Sequence, residues 1–234
     1  MAPRCQCEPN CKYPPLKGRP FCAKHNKRCT RKAPLSGSEP PFDPKRYSKF
    51  EVQDSHNCFA YAFDYMDVPP PSDCNKESCD VPFHQPGRKA GFPKWSKVKG
   101  KRCPDLVGRL KGDIPGLQLS SFEQACPKGF YKIAAVIDPK NDYHFYKQGD
   151  EETMEGYFTH KPGSTKVTTK DASNRPIYDP SLCDRDYTKK SHLNYDRFCS
   201  FMCVPRKTKR LKRGGRRAKT IRQGGRRNNK SRRS

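Results

Sequence analysis

The chain has no long apolar run. Nowhere in its 234 residues does a hydrophobic stretch approach the roughly 20 residues that cross a bilayer, and no apolar leader follows Met1. No membrane span is therefore expected, and the ordinary expectation is an intracellular protein with reduced cysteines. Apolar residues are scarce at 32%, too few for a uniformly globular chain of this length. Acids and aromatics are both missing from residues 206–234, which hold fifteen Lys or Arg. Residues 1–49 hold twelve basic and three acidic residues, so of the chain's +25 only +1 remains for residues 50–205. A nearly neutral globule with cationic ends is predicted.

These shifts divide the chain into a Cys/His knuckle (1–34), a linker (35–49) rich in Pro, Ser and Gly, a main domain (50–205) and a basic tail (206–234). The tail repeats Gly214-Gly215-Arg216-Arg217 as Gly224-Gly225-Arg226-Arg227. With so little to bury it is expected to be disordered when free. Its charge suits phosphate neutralisation without base readout, so non-specific nucleic acid is the expected partner and an acidic capsid protein the next.

In the knuckle, Cys5 or Cys7 with Cys11 precedes Cys22-Ala23-Lys24-His25. Two ligand pairs on short loops, in a segment too small for its own core, predict a structural zinc held by Cys7, Cys11, Cys22 and His25. Cys5 and Cys29 compete for the first position, and a disulfide-stapled knot is the rival reading.

In the main domain, Asp54-Ser55-His56-Asn57 offers N-cap residues, and Phe59, Phe63 and Met66 follow at helical spacing. Cys58 falls in the first turn, where free N–H groups and the helix dipole favour a thiolate. Lys132-Ile133-Ala134-Ala135-Val136-Ile137 reads as a buried strand closed by the turn Asp138-Pro139-Lys140-Asn141, with Tyr143 to Gln148 as its hairpin partner. Period-two alternation puts His144, Tyr146 and Gln148 on one face. A third strand, Tyr157 to His160, carries the next histidine. In this order Cys58 is the candidate nucleophile, His144 its base and His160 the group that orients the base. The plainer reading makes Cys58 a buried small hydrophobe and both histidines packing residues.

The succession Cys58, His144, His160 resembles the NlpC-like branch of papain-fold cysteine peptidases and amidases. The resemblance implies an α+β papain-like domain with a helix packed on an antiparallel sheet, acting on a peptide-like substrate. A further likeness, to uncharacterised proteins of large eukaryotic DNA viruses, rests on Cys5-Gln6-Cys7 with Cys22 and His25, Leu35-Ser36-Gly37, Asn57-Cys58-Phe59, His84-Gln85-Pro86-Gly87, Asp142-Tyr143-His144-Phe145-Tyr146, His160-Lys161-Pro162-Gly163 and Asp179-Pro180. It implies a virion (capsid or core) setting. Asn57 stands where cell-wall hydrolases of the branch commonly carry an acid, so a cell-wall substrate does not follow. A non-catalytic minor capsid or core protein is the competing reading.

Besides Cys58, residues 74–203 hold seven cysteines, an odd set that cannot pair completely; the viral resemblance, since such viruses often encode thiol oxidases, implies a bridge such as Cys74 with Cys79. The Pro- and Gly-rich segment from Cys74 to Cys103 reads as a long loop, a candidate lid or else a virion contact surface.

Overall fold

In the computed structural model, residues 3–206 are described; apart from Arg206, the basic tail lies outside the described residues. The spine is the expected hairpin, β2 (Phe130–Ile137) and β3 (Tyr143–Gln148), paired antiparallel with Val136 opposite His144. Asp138 makes the turn between them: its carboxylate accepts the N–H groups of Lys140 and Asn141. The third strand is shorter than expected, β4 (Phe158–Thr159). Two further strands, β1 (Gln118–Ser120) and β5 (Arg197–Pro205), complete an open antiparallel sheet in the order β1-β5-β2-β3-β4.

The fold is thus α+β, and alternation along β2 and β3 sorts its core. Ile133, Ala135, Tyr143 and Phe145 face the layer of α2 (Cys58–Ala62) and α3 (Cys103–Asp113), where Phe59, Phe63, Leu106 and Leu110 are buried against them, while α1 (Phe50–Ser55) packs Val52 in a separate cluster with Tyr47 and Tyr61. Ala134, Val136 and Tyr146 face the other way, covered by Phe122, Ile177 and Tyr195. Ile177 and Tyr195 of that second cover come from the irregular segment after β4 and Phe122 from the loop between β1 and β2, which explains why β2 carries no exposed face.

Four disulfides replace the expected reduced cysteines: Cys7–Cys29, Cys74–Cys79, Cys103–Cys199 and Cys126–Cys203. The odd set leaves Cys183 unpaired. Two of the bridges fasten β5 to α3 and to the loop before β2. Residues 35–49, expected as a linker, lie against the main domain: the Ser36 hydroxyl donates to the Phe130 carbonyl and the Tyr47 ring is buried beside Tyr61.

The expected lid is strapped down. Asp113 on α3 accepts the N–H groups of Gly87 and Ala90, and the Arg109 guanidinium donates to the carbonyls of Pro86 and Pro93 while lying over Trp95. Gly87 has φ +84°, and a Cβ there would meet the Arg109 side chain at 2.8 Å, so this close approach requires glycine.

Candidate active site and metal centre

Helix α2 begins where the sequence places it. Asn57 caps it, its Oδ1 accepting the Ala60 N–H at 3.1 Å while its Nδ2 donates to the His84 carbonyl at 3.0 Å. It ends earlier than the Phe59, Phe63, Met66 spacing predicts. Phe63 is the C-cap and Asp64 turns left-handed at φ +53°, sending Met66 to a separate cluster around Tyr47 and Val52.

Cys58 and His144 line one cavity of about 190 Å³, walled by Phe83, Trp95, Tyr143 and Tyr195. Cys58 is 5% exposed, its thiol 3.9 Å from the carbonyl oxygen of Tyr143, on the peptide leading into His144. Among the described residues no hydrogen bond joins the thiol directly to the His144 ring. A larger cavity, about 570 Å³, lies between residues 32–35 and 151–157, and no cysteine, serine or histidine lines it.

The histidines form a directional chain. His160 Nε2 lies 2.9 Å from the Lys170 carbonyl oxygen, and His144 Nε2 lies 2.7 Å from His160 Nδ1. A carbonyl only accepts, so for neutral rings His160 carries its proton on Nε2 and leaves Nδ1 as a lone pair. That lone pair takes the His144 Nε2–H. His144 Nδ1 is then unprotonated, the tautomer a base requires.

The electrostatics differ from the sequence expectation of a dipole-stabilised thiolate. Burial, and then the Asp142 carboxylate, push the Cys58 thiol well above its ordinary range; the Phe145 and Phe59 N–H groups and the Lys161 ammonium oppose this without reversing it. A helix of five residues has too little dipole to outweigh desolvation. Burial and the neighbouring His160 hold His144 well below the usual histidine range. Burial takes His160 down to about 4, against the Lys170 carbonyl, which favours the charged ring. The resting pair is neutral thiol and neutral imidazole.

Both histidines have folded-state pKa values below the roughly 6.5 of an unfolded histidine, so the unfolded chain binds more protons as pH falls below that value. Their contribution to stability is present above about pH 6.5 and is lost toward pH 4. Urea unfolding between pH 7.5 and 5 is expected to show it, at up to about 1.4 kcal/mol per pH unit for each histidine. Replacing His160 with Asn should flatten the slope; an unchanged slope would contradict the buried neutral pair.

Lys161 was not legible as a site residue. Fully buried, its ammonium donates to the carbonyls of Gln53 (2.6 Å), His56 (2.5 Å) and Gly163 (2.7 Å). It pins the α1–α2 corner, immediately before Asn57 and Cys58, to the segment that carries His160. Its sequence signals are adjacency to His160 and a place in the His160-Lys161-Pro162-Gly163 stretch, and neither marks a buried ammonium, since lysines are seldom fully buried.

The knuckle brings together Cys5, Cys11, Cys22 and His25, whose ligand atoms all lie within 4.8 Å of one another. Cys7, expected as a ligand, is instead bonded to Cys29, and Cys5 takes its place. His25 Nδ1 stands 3.5, 3.6 and 3.3 Å from the sulfurs of Cys5, Cys11 and Cys22, and Cys11 Sγ 3.6 Å from Cys22 Sγ. Those are close to the edges of a tetrahedron with metal–sulfur bonds of about 2.3 Å and metal–nitrogen bonds of about 2.0 Å. The outer His25 nitrogen lies 3.7 Å from the Glu8 carboxylate, as in carboxylate–histidine–metal arrangements. The group can bind a metal ion, and only its unpaired cysteines are free to do so.

No family model matches the chain, and no solved structure matches it. It is 29% identical over 144 residues to insoluble matrix shell protein 1 of Ruditapes philippinarum, an alignment covering 62% of this chain and 80% of that protein.

Proposed function

We propose that the chain is a papain-like, NlpC-type cysteine hydrolase that cleaves a peptide-like amide, with Cys58 as nucleophile, His144 as base and His160 as its orienter. The observation carrying this reading is that Cys58 and His144 line one cavity, while the one-way chain from Lys170 O through His160 leaves the second His144 nitrogen unprotonated. With neutral partners, the thiol proton moves to His144 Nδ1 as sulfur attacks the substrate carbonyl carbon. The imidazolium then returns that proton to the departing amine as the C–N bond breaks, leaving a thioester. Water, deprotonated by His144, attacks the thioester and releases the acid and the thiol. The Cys58 N–H, in a first helical turn with no intrahelical acceptor, is available to the oxyanion.

In the same reading the Cys5, Cys11, Cys22 and His25 group holds a structural zinc, and the basic ends tether the protein to nucleic acid or an acidic capsid surface in a virion, as the viral resemblance implies. A second reading is favoured by the matrix relative together with the four disulfides: a non-catalytic, cross-linked structural protein.

Native iodoacetamide labelling mapped by mass spectrometry separates the two. Cys183 is the internal control: burial raises its thiol to about 12, and it lies outside the cavity that Cys58 and His144 line. Cys58 is expected to label at least about tenfold faster than Cys183, an advantage that disappears in His144→Ala. Equal, slow labelling of both thiols would leave the structural reading.

A further inference from the structure

Resting on the hydrolase reading, we propose that the Cys58 cavity selects substrates carrying a positive charge next to the scissile carbonyl, with Asp142 as the specificity-determining residue. The cavity wall contains one charged side chain, and it is that carboxylate. Its fixed position comes from the hairpin: Asp142 exchanges backbone hydrogen bonds with Asp138, and its Oδ2 accepts the Tyr195 hydroxyl at 3.2 Å. The rest of the wall mixes aromatic residues, with Trp95 edge-on to Tyr143 at 5.7 Å, and neutral polar ones such as Gln85 and Asn141. A carboxylate beside aromatic rings in a partly enclosed cavity attracts ammonium or guanidinium groups and repels anions. Lys101 attracts the Asp142 carboxylate weakly, but neither nearby lysine enters the cavity as that cation. Lys101 is spent on the carbonyls of Val98 and Lys140, and Lys161 on its three carbonyls; neither lines the cavity.

The volume sets a second limit. About 190 Å³ accommodates one lysine- or arginine-sized side chain, or a free α-amino group with a small residue, but not a bulky oligomeric ligand. The substrate class is therefore an amide or peptide with a basic side chain or free amine within one residue of the bond cleaved. Occupation by the cation also removes the repulsion that Asp142 exerts on a developing Cys58 thiolate. The correct substrate thereby helps to activate its own nucleophile.

Charged thiol reagents test this on the full chain without a known substrate. Aminoethyl methanethiosulfonate is cationic and sulfonatoethyl methanethiosulfonate anionic; with each, the Cys58 thiolate displaces methanesulfinate and forms a mixed disulfide. Rates at Cys58, mapped by mass spectrometry at low salt and normalised to glutathione, are expected to favour the cation at least about tenfold. This direction is diagnostic because the chain's +25 charge would by itself favour the anion. Asp142→Asn should abolish the preference and speed the reaction of Cys58 with neutral iodoacetamide, since the repulsion on the developing thiolate goes with the charge. Equal rates, or an anion preference, beside normal iodoacetamide labelling would overturn the charge selection and leave the hydrolase reading intact. Failure of Cys58 to react with any of the three reagents would overturn both.

Discussion

Replacing His160 with Ala is expected to slow the acylation of Cys58 by about 100- to 10,000-fold, the usual worth of a positioned general base with its orienting partner. The loss has a specific cause. Without an acceptor at the position of His160 Nδ1, His144 is free to rotate or to adopt the tautomer with a proton on Nδ1, which cannot take another. His160→Phe keeps a ring in the space among Tyr146 and Tyr187 but offers no acceptor, so it should fail as Ala does. His160→Asn places an amide oxygen near the former Nδ1 and should restore most of the rate. A structural role alone would give the opposite ranking, with Phe the better substitute. p-Nitrophenyl acetate acylation, followed by the mass of the Cys58 adduct, reads all three variants. The wild-type rate should also vary little between about pH 6 and 8, because the base is already neutral there and the thiol proton moves during attack. A tenfold climb per pH unit would mean that free thiolate, formed without His144, is the reacting species.

Much of this arrangement was readable from local pattern, because local rules decide it. The Asp138 turn, the buried run of β2 and the alternation in β3 fixed which way His144 faces, and the Asn57 cap fixed where α2 begins. What was not readable depends on distant contacts. β5 pairs with β2, more than fifty residues earlier, through a register broken by a bulge between Ala135 and Val136, and its Cys199 and Cys203 reach back to α3 and to Cys126. Burial of Cys58 depends on stretches of chain far apart in sequence, from Phe83 to Tyr195, so a thiolate inferred from the helix alone had the wrong sign. The strap over α3 likewise needed Arg109 and Asp113, two charged residues on a helix whose surface exposure would have been the ordinary expectation.

The ambiguity between Cys5 and Cys7 leads to the other large effect. Residues two apart in extended backbone share a side, yet a loop is under no such constraint, and here Gln6 decides the matter. Its side chain is fully buried, Oε1 accepting the N–H groups of Tyr178 (2.7 Å) and Asp179 (3.1 Å) and Nε2 donating to the Pro176 carbonyl (3.1 Å). With Gln6 latched to the main domain, Cys5 meets His25 and Cys7 meets Cys29. Full-length protein refolded with zinc is therefore expected to hold one ion per chain, and Cys5→Ser to lose it. Cys7→Ser should retain the metal while losing only the disulfide. Glu8→Gln should weaken zinc affinity by about 10- to 100-fold, because it removes the carboxylate behind His25. Elemental analysis with a competing chelator measures all three, and zinc lost from Cys7→Ser but kept in Cys5→Ser would reverse the assignment. Since Gln6 joins the knuckle to the segment after β4, metal release should also lower the thermal midpoint of the whole domain. A melting curve unaffected by chelation would mean that the latch, and not the ion, holds the knuckle in place.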